Sequence, residues 1–173
     1  MCATLLEVSA IPTGHNLIAM TYRQTENHRM TTHDKEILIN APVEKIFTFL
    51  INPGNLLQIW PSLTEVTNEK LLSNGGYRSN WKYKMCGMHF HGTGEVTDID
   101  PNSWFTFKTH GAVDSTITWT FRVKDGQTRV TLTAEYRVPL TLVGRLTEAI
   151  ITKMNDKEAD LILHNLQARF EAS

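Results

Sequence analysis

Ile37-Leu38-Ile39-Asn40-Ala41-Pro42-Val43-Glu44-Lys45-Ile46-Phe47 is the stretch on which the fold turns. Glu36 to Asn40 reads as a short strand, since large and β-branched aliphatic residues suit a pleated, half-buried surface. The period changes at Ala41-Pro42. Proline is tolerated in the first turn of a helix. Val43, Ile46, Phe47 and Leu50 then fall at i, i+3, i+4 and i+7, which is one helical face. Asn52-Pro53-Gly54 breaks that helix, and Asn55 to Trp60 has room for one or two more turns before Pro61.

Towards the C-terminus a long β region follows. Turn residues stand at Asn74-Gly75-Gly76, Cys86-Gly87, Asp100-Pro101-Asn102, roughly Thr109 to Val113, and Asp125-Gly126. Between them lie six predicted strands, at about 62–72, 77–86, 88–99, 103–109, 114–124 and 128–138. Short turns join consecutive strands antiparallel, so a meander is expected. Alternation puts Trp81, Tyr83 and Met85 on one face, with Arg78, Asn80, Lys82 and Lys84 on the other. Ile117, Trp119, Phe121 and Val123 likewise oppose a row of threonines and Arg122. One apolar and one polar face mean a sheet covered on one side.

The cover is the C-terminal segment. Residues 140–171 hold no proline and one glycine, Gly144, and Val143, Leu146, Ile150, Met154 and Leu161 are spaced as a helical stripe. Lys157 and Glu158 interrupt it, as a bend or as a more exposed middle. About 25–30 helical residues span ~40 Å, enough to cross a whole sheet.

Towards the N-terminus the pattern fades. Residues 1–32 scatter Leu5, Leu6, Leu17 and Ile18 around Pro12 and Gly14 without a period, and read as an extension outside a core at 33–173. An interaction arm is the sharper reading of this extension. Met20 and Met30 both stand as alternative starts. The first 22 residues carry no Lys or Arg, so the basic region of a secretory signal is not there.

Composition bounds the rest. At 173 residues, 41% hydrophobic and 20% charged, the chain fits one domain with a real core. A net charge of -1 supplies no field for a polyanion, so nucleic acid is not an expected partner. No apolar run is long enough for a membrane span, so stable membrane insertion is not expected either. Cys2 and Cys86 make no metal or disulfide framework, which suits a cytoplasmic location.

The order strand, two short helices, six-strand meander and long helix resembles the helix-grip fold of the SRPBCC superfamily. That superfamily includes START lipid-binding domains and the polyketide cyclase/dehydrase family. Ile37 to Phe47 looks like its opening strand and helix start, Asn52 to Pro61 like its second helix, and Pro139 to Phe170 like its closing helix. The resemblance implies an α+β fold, with a curved antiparallel sheet of about seven strands wrapped around the C-terminal helix. It also implies a cavity for a hydrophobic small molecule or lipid, with no cofactor or metal, in a monomer or homodimer. The residues expected to line it are Trp60, Trp81, Tyr83, Phe90, Phe105 and Phe107, with Trp119, Phe121, Leu146, Ile150 and Met154. The plainer reading of each ring is solid core.

Sites for chemistry are sparse. His89 and His91 share a strand face opposite Met88 and Phe90, so they read as solvated. His110 and Asp114 flank a turn and, with Tyr83, are the first residues to weigh for proton transfer. Gly92-Thr93-Gly94 lacks the rest of a phosphate loop and reads as room for a bend. Arg78, Lys82 and Lys84 face away from the neighbouring rings, against a nucleic-acid surface. The leading expectation is a binding protein. A cyclase/dehydratase using the same cavity comes second, and a protein-interaction module third.

Overall fold

A computed structural model describes residues 31–85, 87–111, 114–136 and 148–172, leaving aside the side chains of 148–152 and 154. The expectations for Leu146, Ile150 and Met154 lie outside the described residues or side chains, as do those for Cys2 and Cys86.

Seven strands form one antiparallel sheet. They are β1 (Thr31–Ile39), β2 (Leu63–Leu71), β3 (Tyr77–Met85), β4 (Met88–Asp100), β5 (Trp104–Gly111), β6 (Ser115–Lys124) and β7 (Gln127–Tyr136). Their order across the sheet is β1-β7-β6-β5-β4-β3-β2. The meander is as expected, and β1 pairs with its last strand from Thr31↔Tyr136 to Ile39↔Thr128. β1 is therefore longer than the aliphatic run alone suggests. β2 is irregular, with register shifts between Leu63/Glu65 and Thr67/Lys70 and Asn68 at φ 54°.

Helix α1 (Val43–Ile51) begins after Pro42, which caps it in an extended conformation. A 3-10 helix, Pro53–Gln58, follows where the sequence predicts one or two more turns. The predicted face of α1, Val43, Ile46, Phe47 and Leu50, is buried. Phe47 drives its edge between two sheet rings, with centroids 5.8 Å from Phe105 and 5.7 Å from Phe121. The turn into α1 is held by the buried Thr128, whose Oγ1 donates to the Ala41 carbonyl at 2.7 Å.

Helix α2 (Glu148–Glu171) lies over the same face of the sheet. Its packed stripe is Ala159, Ile162, Leu163 and Leu166, all buried. Leu161, expected on that stripe, is 52% exposed. At about 100° per residue a neighbour in sequence points well away from Ile162, and the sheet takes the face where Ala159 allows close approach. The last turns of α2 are tied to the α1 end of the fold. Phe170 meets Phe49 edge-on at 5.6 Å, and the Asn165 amide donates to the Ile59 carbonyl at 3.0 Å. Midway along α2, Asp156 and Asp160 share Lys35 of β1, at 2.9 and 3.2 Å.

Gly92 and Gly94 stand on the inward face of β4, each under an aromatic ring. A Cβ on Gly94 would strike the tip of the Phe107 ring. A Cβ on Gly92 would strike both the Trp81 ring, at 2.5 Å, and the His110 carbonyl of β5. The two substitutions should therefore differ. Gly94→Ala can be relieved by tilting Phe107, whereas Gly92→Ala meets backbone. We expect Gly92→Ala to cost about 3 kcal/mol, at the upper end of overpacking, and Gly94→Ala less than half of that. Urea unfolding of the two variants checks this, and equal losses would contradict the assignment of the obstacles.

Candidate functional site

The inner face of the sheet is filled at one end and hollow at the other. Under α1 the rings of Phe47, Phe105 and Phe121 close the space, and Trp119 beside them is 2% exposed. Beyond the reach of α1, between the sheet, the 3-10 helix and α2, lies a cavity of about 170 Å3. The expected ligand-lining set divides along this boundary. Trp60, Trp81, Tyr83, Phe90 and Phe107 line the cavity. Phe105, Trp119 and Phe121 do not; they pack as core.

Two glycines make the hollow. Trp81 pairs with Gly92 and Ser79 with Gly94 across β3 and β4. With no side chain beneath them, the Trp81 and Phe107 rings lie down against the sheet instead of standing into the cavity.

Besides Ser79, Thr109, Ser115 and Asn155, titratable side chains enter the cavity wall at two places. At the first, the Tyr83 hydroxyl donates to one carboxylate oxygen of Glu158 on α2. The Ser62 backbone N–H donates to the other oxygen at 3.2 Å. Burial, and then the adjacent Glu158 charge, push the Tyr83 phenol well above its ordinary value, so it stays a donor. The indole N–H of Trp60 lies near enough to the Tyr83 oxygen to oppose that shift slightly, yet makes no well-formed hydrogen bond. The Trp81 indole N–H is likewise buried without a partner.

At the second place, His33 of β1 and Tyr136 of β7 stand side by side, with His33 Nε2 3.1 Å from the Tyr136 hydroxyl. Asp156 faces the other nitrogen, Nδ1, at 3.7 Å. A carboxylate there favours the proton on Nδ1, leaving Nε2 to accept from the phenol. Lys35 holds Asp156 below its usual carboxylate range, and its own ammonium is raised by Asp156 and Asp160.

Sequence reasoning found Tyr83 but missed Glu158, His33 and Tyr136 as a polar lining. In the sequence Glu158 reads as an interruption of an apolar stripe. Its spacing of four to Ile162 was the available signal, because residues four apart share a helix face. His110 and Asp114 come within 3.6 Å of one another, but each side chain is 67% exposed and neither lines the cavity. His89 and His91 are exposed on the outer face. There Arg78 pairs with Glu95, and Lys82 pairs with Glu65 at 2.8 Å. No cluster of three potential metal ligands occurs among the described residues. No described helix is long and apolar enough to cross a membrane.

This architecture can be compared with known proteins. The family described as "Polyketide cyclase / dehydrase and lipid transport" matches residues 30–171. The chain belongs to that family. Its fold is therefore of the SRPBCC, START-like kind. Among solved structures, a Thermus thermophilus protein is 24% identical with a TM-score of 0.65, covering 82% of this chain and 98% of its own. The ZhuI aromatase/cyclase of Streptomyces sp. R1128 is 17% identical with a TM-score of 0.66, covering 83% and 94%. A START superfamily protein of Mycobacterium smegmatis is 12% identical with a TM-score of 0.69, covering 82% and 97%. At these identities the likeness is one of fold. No curated protein matches the sequence.

The Tyr83 environment makes a pH statement. A phenol whose folded pKa lies above its unfolded value of 10.0 adds stability that is fully present below pH 10. That stability is lost as pH rises further towards the folded value. In an ultraviolet titration of the four tyrosines, one should resist ionisation until the fold itself gives way. Tyr83→Phe should remove that component, and its persistence in the variant would assign it to another tyrosine.

Proposed function

We propose that residues 33–173 form a binding domain that takes a small apolar or aromatic molecule into the cavity between the sheet and α2. Residues 1–32 lie outside that domain in this reading, save Thr31 and Thr32, which β1 takes up. The observation that carries it is the cavity itself, about 170 Å3 walled chiefly by Trp60, Trp81, Tyr83, Phe90 and Phe107.

Size narrows the occupant. Pockets for drug-sized ligands begin at about 300 Å3, whereas an apolar cavity of about 150 Å3 takes up benzene. A molecule of one ring, or two small ones, matches this space better than a full lipid tail. A ring burying ~150 Å2 gains about 4 kcal/mol gross. About 4 kcal/mol alone corresponds to a dissociation constant of about 1 mM, so with part of it offset on association binding weaker than millimolar follows unless a polar contact adds to it.

One observation favours a second reading, a cyclase or dehydratase. The Asp156–His33–Tyr136 series brings an imidazole and a phenol to the cavity wall, an arrangement able to move a proton to or from a bound molecule. Native mass spectrometry of the purified protein, with solvent extraction, separates the two. A molecule retained unchanged supports binding, and one released chemically altered supports turnover.

The cavity is tested by filling it. Toluene should change the Trp60 and Trp81 fluorescence in a saturable way. Ala159, buried on the cavity side of α2, is the position to enlarge. Ala159→Phe should cut toluene affinity at least tenfold while the protein stays folded by circular dichroism. Linear, unsaturable changes in the parent protein would sink the proposal.

A further inference from the structure

The middle turns of α2 carry three carboxylates, and they do not share one fate. Asp156 and Asp160, four residues apart, both reach Lys35 on β1. Glu158 lies two residues from each, about 200° round the helix, and turns to the cavity. Among the described residues no Lys, Arg or His comes within ion-pair distance of it. A carboxylate in an apolar wall must be compensated by charge or by hydrogen bonds. Here the compensation consists of two donors, the Tyr83 hydroxyl on one oxygen and the Ser62 N–H on the other.

A carboxylate offers about four acceptor positions, and these two donors fill one on each oxygen. Glu158 is half-buried at the cavity wall, so its remaining positions are open to a donor carried by an occupant of the cavity. The chemistry also sets what the occupant is not. A second carboxylate or a phosphate would face Glu158 with like charge in a poorly solvated space. The walls take the remainder of the molecule, since the faces of Trp60, Trp81, Phe90 and Phe107 accept an aromatic ring and attract an ammonium group carried on it.

We propose that Glu158 is the polar anchor of the cavity, and that the occupant is a small aromatic molecule bearing a hydrogen-bond donor, a phenolic hydroxyl or an amine, seated on its carboxylate. This rests on the binding reading given above and specifies its ligand class.

Four probes with a common ring test it: toluene, phenol, benzylamine and benzoate, each titrated into the full chain with tryptophan fluorescence or calorimetry as readout. Hydrogen bonds to a charged partner are the strong ones. Phenol, benzylamine or both should therefore bind about tenfold more tightly than toluene, and benzoate more weakly than toluene. In Glu158→Gln the donor-to-toluene affinity ratio should fall to within about twofold of unity. Comparison of the probes on the parent protein needs no variant, so the test survives a Glu158→Gln chain that does not fold. If toluene binds and neither donor probe improves on it, the anchor is overturned while the apolar cavity stands. An unchanged ratio in a folded Glu158→Gln protein overturns it as well. If toluene itself does not bind, the binding reading fails and the anchor fails with it.

Discussion

The hollow in this protein depends on two rings being able to lie flat. Trp81 of β3 and Phe107 of β5 are both inward residues of the strands that flank β4, and inward rings on a curved sheet would ordinarily meet in the middle. Gly92 and Gly94 remove the side chains beneath them, so each ring rests on bare backbone. Space opens above the rings for that reason. The polar groups of the cavity gain their setting from this, because a largely apolar wall raises the consequence of every unpaired donor or acceptor in it.

The second determinant is the shortness of α1. Its nine residues cover only the end of the sheet where Phe105 and Phe121 stand, and Phe47 seals that end. The same alternation of inward rings continues along the strands, but among the described residues only α2 and the 3-10 helix reach over the far end. Thus one sheet face, built on one sequence pattern, serves as solid core at one end and as a chamber at the other. The helix α2 is common to both, and its chemistry changes to match. Leu163 and Leu166 face the packed region, Glu158 and Ala159 face the chamber, and Ile162 stands between, buried in the core and lining the chamber as well.

Much of this was legible in the chain. The switch of period at Asn40-Ala41-Pro42 marks the strand-to-helix junction, and the glycine- and asparagine-bearing turns mark the meander. Inward and outward residues follow from strict alternation, which is why Trp81 and His91 went to their correct faces. The division of rings between core and cavity was not legible. It depends on where α1 ends relative to strands that are distant in sequence. Phe105 and Phe107 are both inward residues of β5, yet one is core and the other wall. The polar lining was hidden for a similar reason. His33 and Tyr136 are 103 residues apart and meet only because β1 pairs with β7. Glu158 was obscured by its neighbours, since an isolated charge between Lys157 and Asp160 looks like a solvated turn until the strand opposite it is known.

The open ends of the sheet have a consequence of their own. Among the described strands β1 and β2 stand at the two edges of the sheet, and a strand edge left unpaired can recruit the strand of another molecule. Along β1 that opportunity is reduced, because Lys35 is drawn over to Asp156 and Asp160 of α2. Along β2 the defence is geometric. The register slips twice, Asn68 adopts a positive φ, and Glu69 and Lys70 stand exposed beside it. A neighbouring chain would find neither an even row of hydrogen-bonding groups nor an uncharged surface to lie on. The irregular strand thus makes this edge of the described sheet a poor template for the strand of another molecule.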